Sequence, residues 1–472
     1  MKNLSKISTM KNLFFATFCI FSFSSKAQNP PTFIADSLQY ILDHALPTNF
    51  QKSGAVMGII VPGQWTWFGA SGNAIAGVTA GQAETTALPN NQFRVGSITK
   101  TMLATCILKL EQNGLLSIND PISMYLRSTL VNDTIASSGT VLIRHLLNHT
   151  SGIGNSGDNT ACQTDVLTNP TAFKSLEEAI YCGASLGETF EPGFAWAYSN
   201  TNYSILAMIL ENITGMSYEE YLQQTIISPL GLQNTLIPTS SQIQNAHIGC
   251  YWNIGSWIDL TIINPSIYKG WADVVSTTED LMHFYQALTN LEIINATELA
   301  VMHTIDAASY DYGMGLDFYT ISGFDYIGHY GEVANTSGLF RASISSSLAP
   351  NGYYIAYNFN TQGVDMQNKI DVPILQLLNN SALSVSENSK ESLNQILFYP
   401  NPVKEELHLI FDNKYQDVSI KWIDFTGKIV LHENYLQLPN LMDMTSKKLE
   451  KGCYLLEIEN GNSKYMQKLI LE

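Results

Sequence analysis

Basic side chains are scarce in this chain. Its 472 residues hold 24 Lys and Arg against 41 Asp and Glu, a net charge of −17. A surface of that sign repels phosphate backbones and excludes nucleic acid as an expected partner. Charged residues make up 14% and hydrophobic ones 45%. The apolar share can fill a sizeable core, which excludes disorder as a whole-chain reading. The six cysteines form no C-x-x-C, so zinc and dithiol redox motifs are missing. Long apolar runs are missing too. Leu13 to Phe23 is 11 residues, whereas a bilayer-spanning helix needs about 20. No repeat period is visible.

Leu13 to Phe23 follows Lys2, Lys6 and Lys11 with no acidic residue between them, and Ser25-Lys26-Ala27 resembles a small-x-small cleavage site. This pattern predicts a signal peptide over residues 1–27, a mature chain from Gln28 and no transmembrane segment after its removal. Cys19 follows Phe18, where a lipoprotein signal would have a small residue. Cys162 and Cys182 flank a polar loop, and an exported chain could pair them. Cys106, Cys250 and Cys453 read as buried thiols.

Charge and pattern divide the remainder. Residues 28–378 carry 10 basic and 28 acidic side chains, whereas residues 395–472 carry 9 and 11. Between them, residues 379–394 are polar without core periodicity and read as a linker. Beyond it, Leu407–Ile410, Val418–Trp422 and Tyr454–Ile458 alternate as half-buried strands, with turn signals at Thr426-Gly427-Lys428 and Asn460-Gly461-Asn462. That predicts a small β-sandwich over 395–472. In the large region Thr99–Gln112 has Met102, Leu103, Cys106, Ile107 and Leu110 at helical spacing and Gly114 as a stop. Arg144–Leu147, Tyr203–Ile213 and Thr278–Leu288 read as further helices. Strand-like runs at Val56–Val61, Leu339–Ser345 and Tyr353–Tyr357 predict a sheet whose edges come from distant parts of the chain.

Three short patterns could carry chemistry. In Ser97-Ile98-Thr99-Lys100 a serine at the first turn of a helix lies near free backbone N–H groups, and a lysine one turn on can reach its hydroxyl. A buried lysine can lose its proton and act as a base. The bland alternative is an N-capping serine followed by a solvated lysine. In Tyr198-Ser199-Asn200 a phenol near an ammonium would have a lowered pKa and could shuttle a proton, and the amide could hold a substrate carbonyl. The alternative is an aromatic loop with an Asn cap. In Gly328-His329-Tyr330-Gly331 the glycines permit close approach of a ligand to a strand, or simply make a turn.

S-x-x-K, Y-x-N and H-x-G in this order resemble the serine β-lactamase-related hydrolases, which include class C β-lactamases, DD-peptidases and esterases. Neighbouring segments extend the resemblance: Phe93-Arg94-Val95-Gly96, Gly114 to Ile122, Arg144-His145-Leu146-Leu147-Asn148-His149-Thr150-Ser151-Gly152, Ser276 to Leu281 and Tyr312-Gly313-Met314-Gly315. It covers roughly residues 36–378. It implies an α+β (α/β) fold, a β-lactamase/transpeptidase-like antiparallel sheet flanked by helices, with a helical subdomain. The active site would lie between them. It also implies roles. Ser97 would be the acyl-accepting nucleophile, and Lys100 and Tyr198 would share the base work. Asn200 would bind the substrate amide, and His329 and Gly331 would wall the site. The N–H groups of Ser97 and Glu332 would form the oxyanion hole. No metal or organic cofactor is implied.

There are departures from that pattern. Tyr330 stands where the family usually has a Thr that helps hold a substrate carboxylate, and His329 stands in place of Lys. A bulky phenol there and less fixed positive charge favour an ester, amide or peptide substrate over a β-lactam or D-Ala-D-Ala. His145 and His149 are four apart, a spacing that can bind metal, but the resemblance makes both structural. Asp317, Asp325 and Glu332 read as mostly solvated. In the tail, Phe398-Tyr399-Pro400-Asn401-Pro402, Asp424 to Lys428 and Lys451 to Tyr454 resemble the C-terminal sorting domain of type IX secretion in Bacteroidetes. That resemblance implies the type IX machinery as a partner and a secreted or cell-surface location.

Overall fold

The computed structural model describes residues 28–379 and 396–471, apart from residues 80, 127–133, 136, 400–402, 412–414, 425–427 and 462. The expected signal segment lies outside the described residues, as does the expected linker except Asn379.

Residues 54–61, GAVMGIIV, are an unbroken apolar run, and such a run suits a strand covered on both faces. It forms β1 (Gly54–Val61), in which every residue is buried. β1 lies near the middle of a seven-stranded antiparallel sheet with β2 (Trp65–Ile75), β3 (Thr85–Thr86), β4 (Asp317–Ile321), β5 (Phe324–Glu332), β6 (Thr336–Ala342) and β7 (Tyr353–Phe359). The strand order is β3-β2-β1-β7-β6-β5-β4. The two ends of the region meet inside the sheet, with Met57 opposite Tyr357 and Ile59 opposite Ile355. The edges, β3 and β4, are far apart in sequence, as expected.

Side chains alternate across this sheet, so each face has its own core. Ala55, Met57, Ile59, Phe340 and Ile355 pack backward onto helices α1 (Thr32–Ala45) and α6 (Val372–Asn379). Val56, Ile60, Leu339, Tyr354 and Ala356 pack forward onto α2 (Ile98–Gln112), α4 (Asn200–Thr214) and α5 (Thr278–Thr289). A smaller helix, α3 (Thr160–Thr168), belongs to the segment between α2 and α4.

α2 departs from the expected one-sided stripe. It is buried on all sides from Ile98 to Leu108, including Thr99, Lys100, Thr101 and Thr105. A helix sunk inside a domain must satisfy its polar groups internally. Accordingly, the Thr101 hydroxyl donates to the Gly315 carbonyl at 2.7 Å, and the Thr105 hydroxyl to the Thr101 carbonyl at 2.8 Å. Gly114, at φ +69°, follows its end.

The tail strands form a four-stranded sheet in the order Ile429–Gln437, Gln416–Asp424, Gly452–Asn460, Ser463–Leu471, and a three-stranded one of Ile396–Tyr399, Glu406–Phe411 and Leu441–Asp443. Leu407, Leu409, Ile420, Trp422, Leu456 and Leu469 share one core between them, a small sandwich-like unit. Cys162 and Cys182 are bonded, with Cα atoms 6.1 Å apart, and Cys106 and Cys250 are buried free thiols. The Cys453 side chain is outside the described residues.

Candidate active site

The site begins at a glycine. Gly96 has φ +60°, and a Cβ there would lie 2.4 Å from the Glu332 nitrogen. A Cβ on Gly331 would lie 2.1 Å from the Val95 carbonyl oxygen and 3.1 Å from the Ser97 nitrogen. Two glycines therefore let the start of α2 and the end of β5 touch backbone to backbone. The Ser337 hydroxyl ties the junction, donating to the Val95 carbonyl at 3.0 Å and lying 3.1 Å from the Gly331 carbonyl oxygen. The Ser97 and Glu332 N–H groups consequently belong to one junction beside the Ser97 hydroxyl.

Ser97 precedes α2 but makes no side-chain cap hydrogen bond. Lys100 is 0% exposed. The bland reading, a capping serine and a solvated lysine, is thereby excluded. The Lys100 Nζ lies 2.9 Å from Ser97 Oγ and 2.9 Å from Asn200 Oδ1, and 3.3 Å from the Trp271 carbonyl oxygen. Burial pushes the amine well below the ordinary lysine value, against the opposing pull of Asp317 and Asp273. A lysine held in this way can accept a proton from the serine.

Tyr198 completes the cluster. Its ring lies 4.8 Å from Lys100 Nζ, and the Ser97 side chain is near enough to pull its pKa down. The expected lowered pKa is not found. Burial raises this phenol well above the ordinary value and outweighs the pull of Ser97 that lowers it. Desolvation drives phenol and amine alike toward their neutral forms, so the pair can relay a proton while leaving no net charge behind. Asn200 opens α4, and its own N–H donates to Asn155 Oδ1 at 3.0 Å.

β5 forms the wall. His329 is 3% exposed, with Nε2 2.9 Å from the Tyr312 hydroxyl and Nδ1 3.6 Å from Asp317. Burial lowers its pKa, opposed by Asp317 and assisted by Lys100. Its side chain is therefore a neutral hydrogen-bonding group at neutral pH. The Glu332 carboxylate is exposed and accepts from Gln362 Nε2 at 3.0 Å; it is the backbone nitrogen of this residue that lies at the Gly96 junction.

A family model described as Beta-lactamase matches residues 44–377. The chain belongs to the β-lactamase family. It is accordingly a serine hydrolase of the kind that works through an acyl-enzyme. A second model, Secretion system C-terminal sorting domain, matches residues 397–472, and this tail indicates type IX secretion to the cell surface or beyond. Among related proteins, the penicillin-binding-like PbpX of Bacillus subtilis is 28% identical over 294 residues, 62% of this chain and 68% of that protein. Penicillin-binding protein 4* of Bacillus subtilis is 28% identical over 243 residues, 48% of this chain and 52% of that protein. Among solved structures, a D-stereospecific amidohydrolase from Streptomyces sp. is 27% identical with a TM-score of 0.63, covering 72% of this chain and 98% of that one. A D-amino acid amidase from Ochrobactrum anthropi SV3 shares the fold at 22% identity and a TM-score of 0.62, covering 74% of this chain and 99% of that one.

Four expectations need correction or extension. Tyr330 does not crowd the site. Adjacent strand residues face opposite ways, and its hydroxyl donates to Asp371 at 2.7 Å behind the sheet. The helix bearing His145 ends at Leu147, and His149 has φ +62°, so the two do not share a helix face. His149 is instead 0% exposed, with its ring 4.3 Å from that of Tyr198. Asp317 is only partly solvated, its side chain 18% exposed beside His329. Sequence reasoning missed Trp271, whose carbonyl and ring both approach Lys100, and Tyr203, whose ring lies 5.6 Å from the same amine. The helical spacing of Asn200 and Tyr203 was the available signal for the second; nothing in the sequence marked the first.

Proposed function

We propose that this exported hydrolase cleaves an ester or amide bond through an acyl-enzyme on Ser97. The observation that carries the reading is a fully buried amine 2.9 Å from both Ser97 Oγ and Asn200 Oδ1. In the acylation step, neutral Lys100, with Tyr198, takes the Ser97 proton as Oγ attacks the carbonyl carbon. The carbonyl oxygen becomes an oxyanion stabilised by the N–H groups of Ser97 and Glu332. Tyr198 then passes its proton to the leaving oxygen or nitrogen as that bond breaks, and the protonated Lys100 amine restores the phenol, so both groups end neutral. Water attacks the acyl-serine by the same route in reverse, releasing the acid and restoring the Ser97 hydroxyl. Asn200 holds the substrate amide side, and His329 and Gly331 wall the site.

Substrates without a terminal carboxylate fit best. A buried neutral His329 supplies little positive charge, and Tyr330 turns its hydroxyl away from the site. The likeness to the Streptomyces D-stereospecific amidohydrolase favours an amide with D configuration among such substrates. The penicillin-binding relatives support a second reading, DD-carboxypeptidase or β-lactamase action. A non-catalytic surface binding or sensor protein is a third, disfavoured by the intact Ser97–Lys100–Tyr198 cluster. We further propose that residues 1–27 are a signal peptide, that residues 28–378 form the hydrolase and residues 395–472 the sorting domain, and that residues 379–394 link them.

The test is a panel of 4-nitrophenyl acetate, D-amino acid amides, D-Ala-D-Ala peptides and nitrocefin, run beside Ser97→Ala, with mass spectrometry after a fluorophosphonate probe. An adduct on Ser97 with ester or amide turnover supports the reading. Turnover of nitrocefin or D-Ala-D-Ala alone selects the second, and no adduct selects the third.

A further inference from the structure

Helix α3 is unusual in having no buried residue, yet it lines a cavity that includes Trp271, the residue whose carbonyl accepts from Lys100. The cavity has a volume of about 270 Å³. Val166 and Leu167 of α3 line it together with Trp252, Leu260, Tyr268 and Trp271. No Asp, Glu, Lys or Arg is among its lining residues.

Its neighbours locate it relative to the reaction. Trp271 accepts from Lys100 through its carbonyl. Gly157, also in the lining, approaches Asn200, whose Nδ2 lies 3.3 Å from where a Gly157 Cβ would be. Gln362 on the rim donates to the Glu332 carboxylate. The cavity thus adjoins Asn200 and the end of β5, while neither Ser97 nor Tyr198 is among its lining residues. A substituent that enters it past Asn200, rather than past the proton donor Tyr198, belongs to the acyl side.

α3 is tethered more than packed: Leu167 lies against the cluster of Cys250, Leu260 and Ala334, but none of its residues is buried. A second cavity of about 450 Å³ lies against it, lined by Asp165, Lys174, Glu178 and Tyr181 among others. What fixes the helix is the Cys162–Cys182 bond, the Lys174–Asp165 ion pair at 2.5 Å, and Asn159, whose Nδ2 donates to the Cys182 carbonyl at 2.7 Å. Cys162 and Cys182 themselves line the acyl-side cavity.

We propose that this cavity is a subsite for an uncharged aromatic or large aliphatic acyl side chain, with the Cys162–Cys182 disulfide as the positioning element of its α3 wall. This deepens the proposed acyl-enzyme reaction on Ser97 and rests on it. A void of roughly 150 Å³ holds benzene, so the volume suits a ring with its linking carbons. A lining without charge disfavours acidic and basic side chains, which would be desolvated there without a partner.

The test uses the full chain and two substrates with one leaving group, 4-nitrophenyl phenylacetate and 4-nitrophenyl acetate. The ratio of their kcat/KM values isolates the acyl side. We expect the phenylacetyl ester to be favoured by about tenfold or more. Val166→Trp, which fills the cavity, and Leu167→Asp, which places a charge in it, should each cut that ratio by about tenfold. The double variant Cys162→Ser/Cys182→Ser should raise KM for the phenylacetyl ester relative to the acetyl ester while leaving their kcat ratio in place. A wild-type ratio near one, or a ratio that survives both cavity variants, overturns the subsite. A phenylacetyl KM that does not move in the double variant overturns the role of the disulfide. Mass spectrometry separates these results from failure of the reaction: without an acyl adduct on Ser97 from either ester, the proposed function falls and the subsite with it.

Discussion

Strand β5 has a buried polar cluster on each face. Behind the sheet, the Asp371 carboxylate accepts from the Tyr326 hydroxyl at 2.8 Å, the Tyr330 hydroxyl at 2.7 Å and the Tyr357 hydroxyl at 3.1 and 3.2 Å. In front, Lys100 is also fully buried, but its hydrogen-bond partners are the Ser97 hydroxyl, an amide oxygen and a carbonyl, none of them charged. His149 beside it leaves Nε2 without a hydrogen-bond partner among the described residues. Both clusters hold an ionisable group away from water. The rear one surrounds its charge with donors and is a structural brace. The front one leaves its charge poorly compensated, which makes the amine a base. Burial alone therefore does not mark the functional face; incomplete compensation beside a backbone junction does.

The largest expected effect breaks the front cluster. Ser97→Ala should lower kcat by roughly 10³-fold or more, since covalent catalysis is lost, while the melting temperature holds or rises. A variant retaining a tenth of the wild-type rate would mean that Ser97 is not the nucleophile.

Next comes the amine. Because burial depresses Lys100, its neutral form persists below the ordinary lysine range. The active base is the neutral amine, so kcat/KM should fall as pH drops through that depressed value, giving an acid limb well below the ordinary lysine range. Lys100→Met should cost roughly 10³-fold and abolish that limb. An unchanged limb in the variant would assign it to another group.

Much of the front was legible in the sequence because it is local. Ser97 and Lys100 lie one helical turn apart, and Asn200 starts a helix whose apolar run begins close by. β1 and β7 were legible as continuous apolar runs. What could not be read was direction. The side-chain alternation that sends His329 forward and Tyr330 backward depends on the register of β5 against β6, in which Tyr330 lies opposite Gly338. Asp371, which receives the Tyr330 phenol, is 41 residues away, and no motif connects them. Trp271 was illegible for a related reason, since it contributes a carbonyl that any residue could supply. The Tyr198 pKa was misjudged because the reading counted the cation and not the burial.

A smaller effect should come from the rear. Burial raises the Asp371 carboxyl from 3.8 to about 6, with the three phenols pulling it down. A raised acid binds its proton more tightly in the folded state. Its contribution to stability is fully present below about pH 4 and is lost as pH rises through about 6. The difference across that window is about 3 kcal/mol at this single group. Other carboxylates titrate there too, so the measurable quantity is wild type minus Asp371→Asn, followed by urea melts from pH 4 to 7. That difference should shrink by about 3 kcal/mol as pH rises. A constant difference would mean that Asp371 does not titrate in this window.

The smallest effect separates the two faces directly. Tyr330→Phe removes one hydroxyl from Asp371 and nothing from the Ser97 side. A hydrogen bond to a carboxylate contributes about 1.5 kcal/mol or somewhat more, so stability near pH 7 should fall by about that amount. Tyr330 also lowers the Asp371 pKa, so its loss should move the titration window of the brace upward. The kcat/KM for 4-nitrophenyl acetate should stay within about twofold, because the ring remains packed against Phe340, 4.6 Å away between centroids, and holds β5 in place. His329→Ala is the opposing control: it faces Tyr312 in the site and should lower the rate more than the stability. If Tyr330→Phe instead slowed turnover tenfold with little loss of stability, the phenol would have to reach the site, and the division between a rear brace and a front reaction centre would fail.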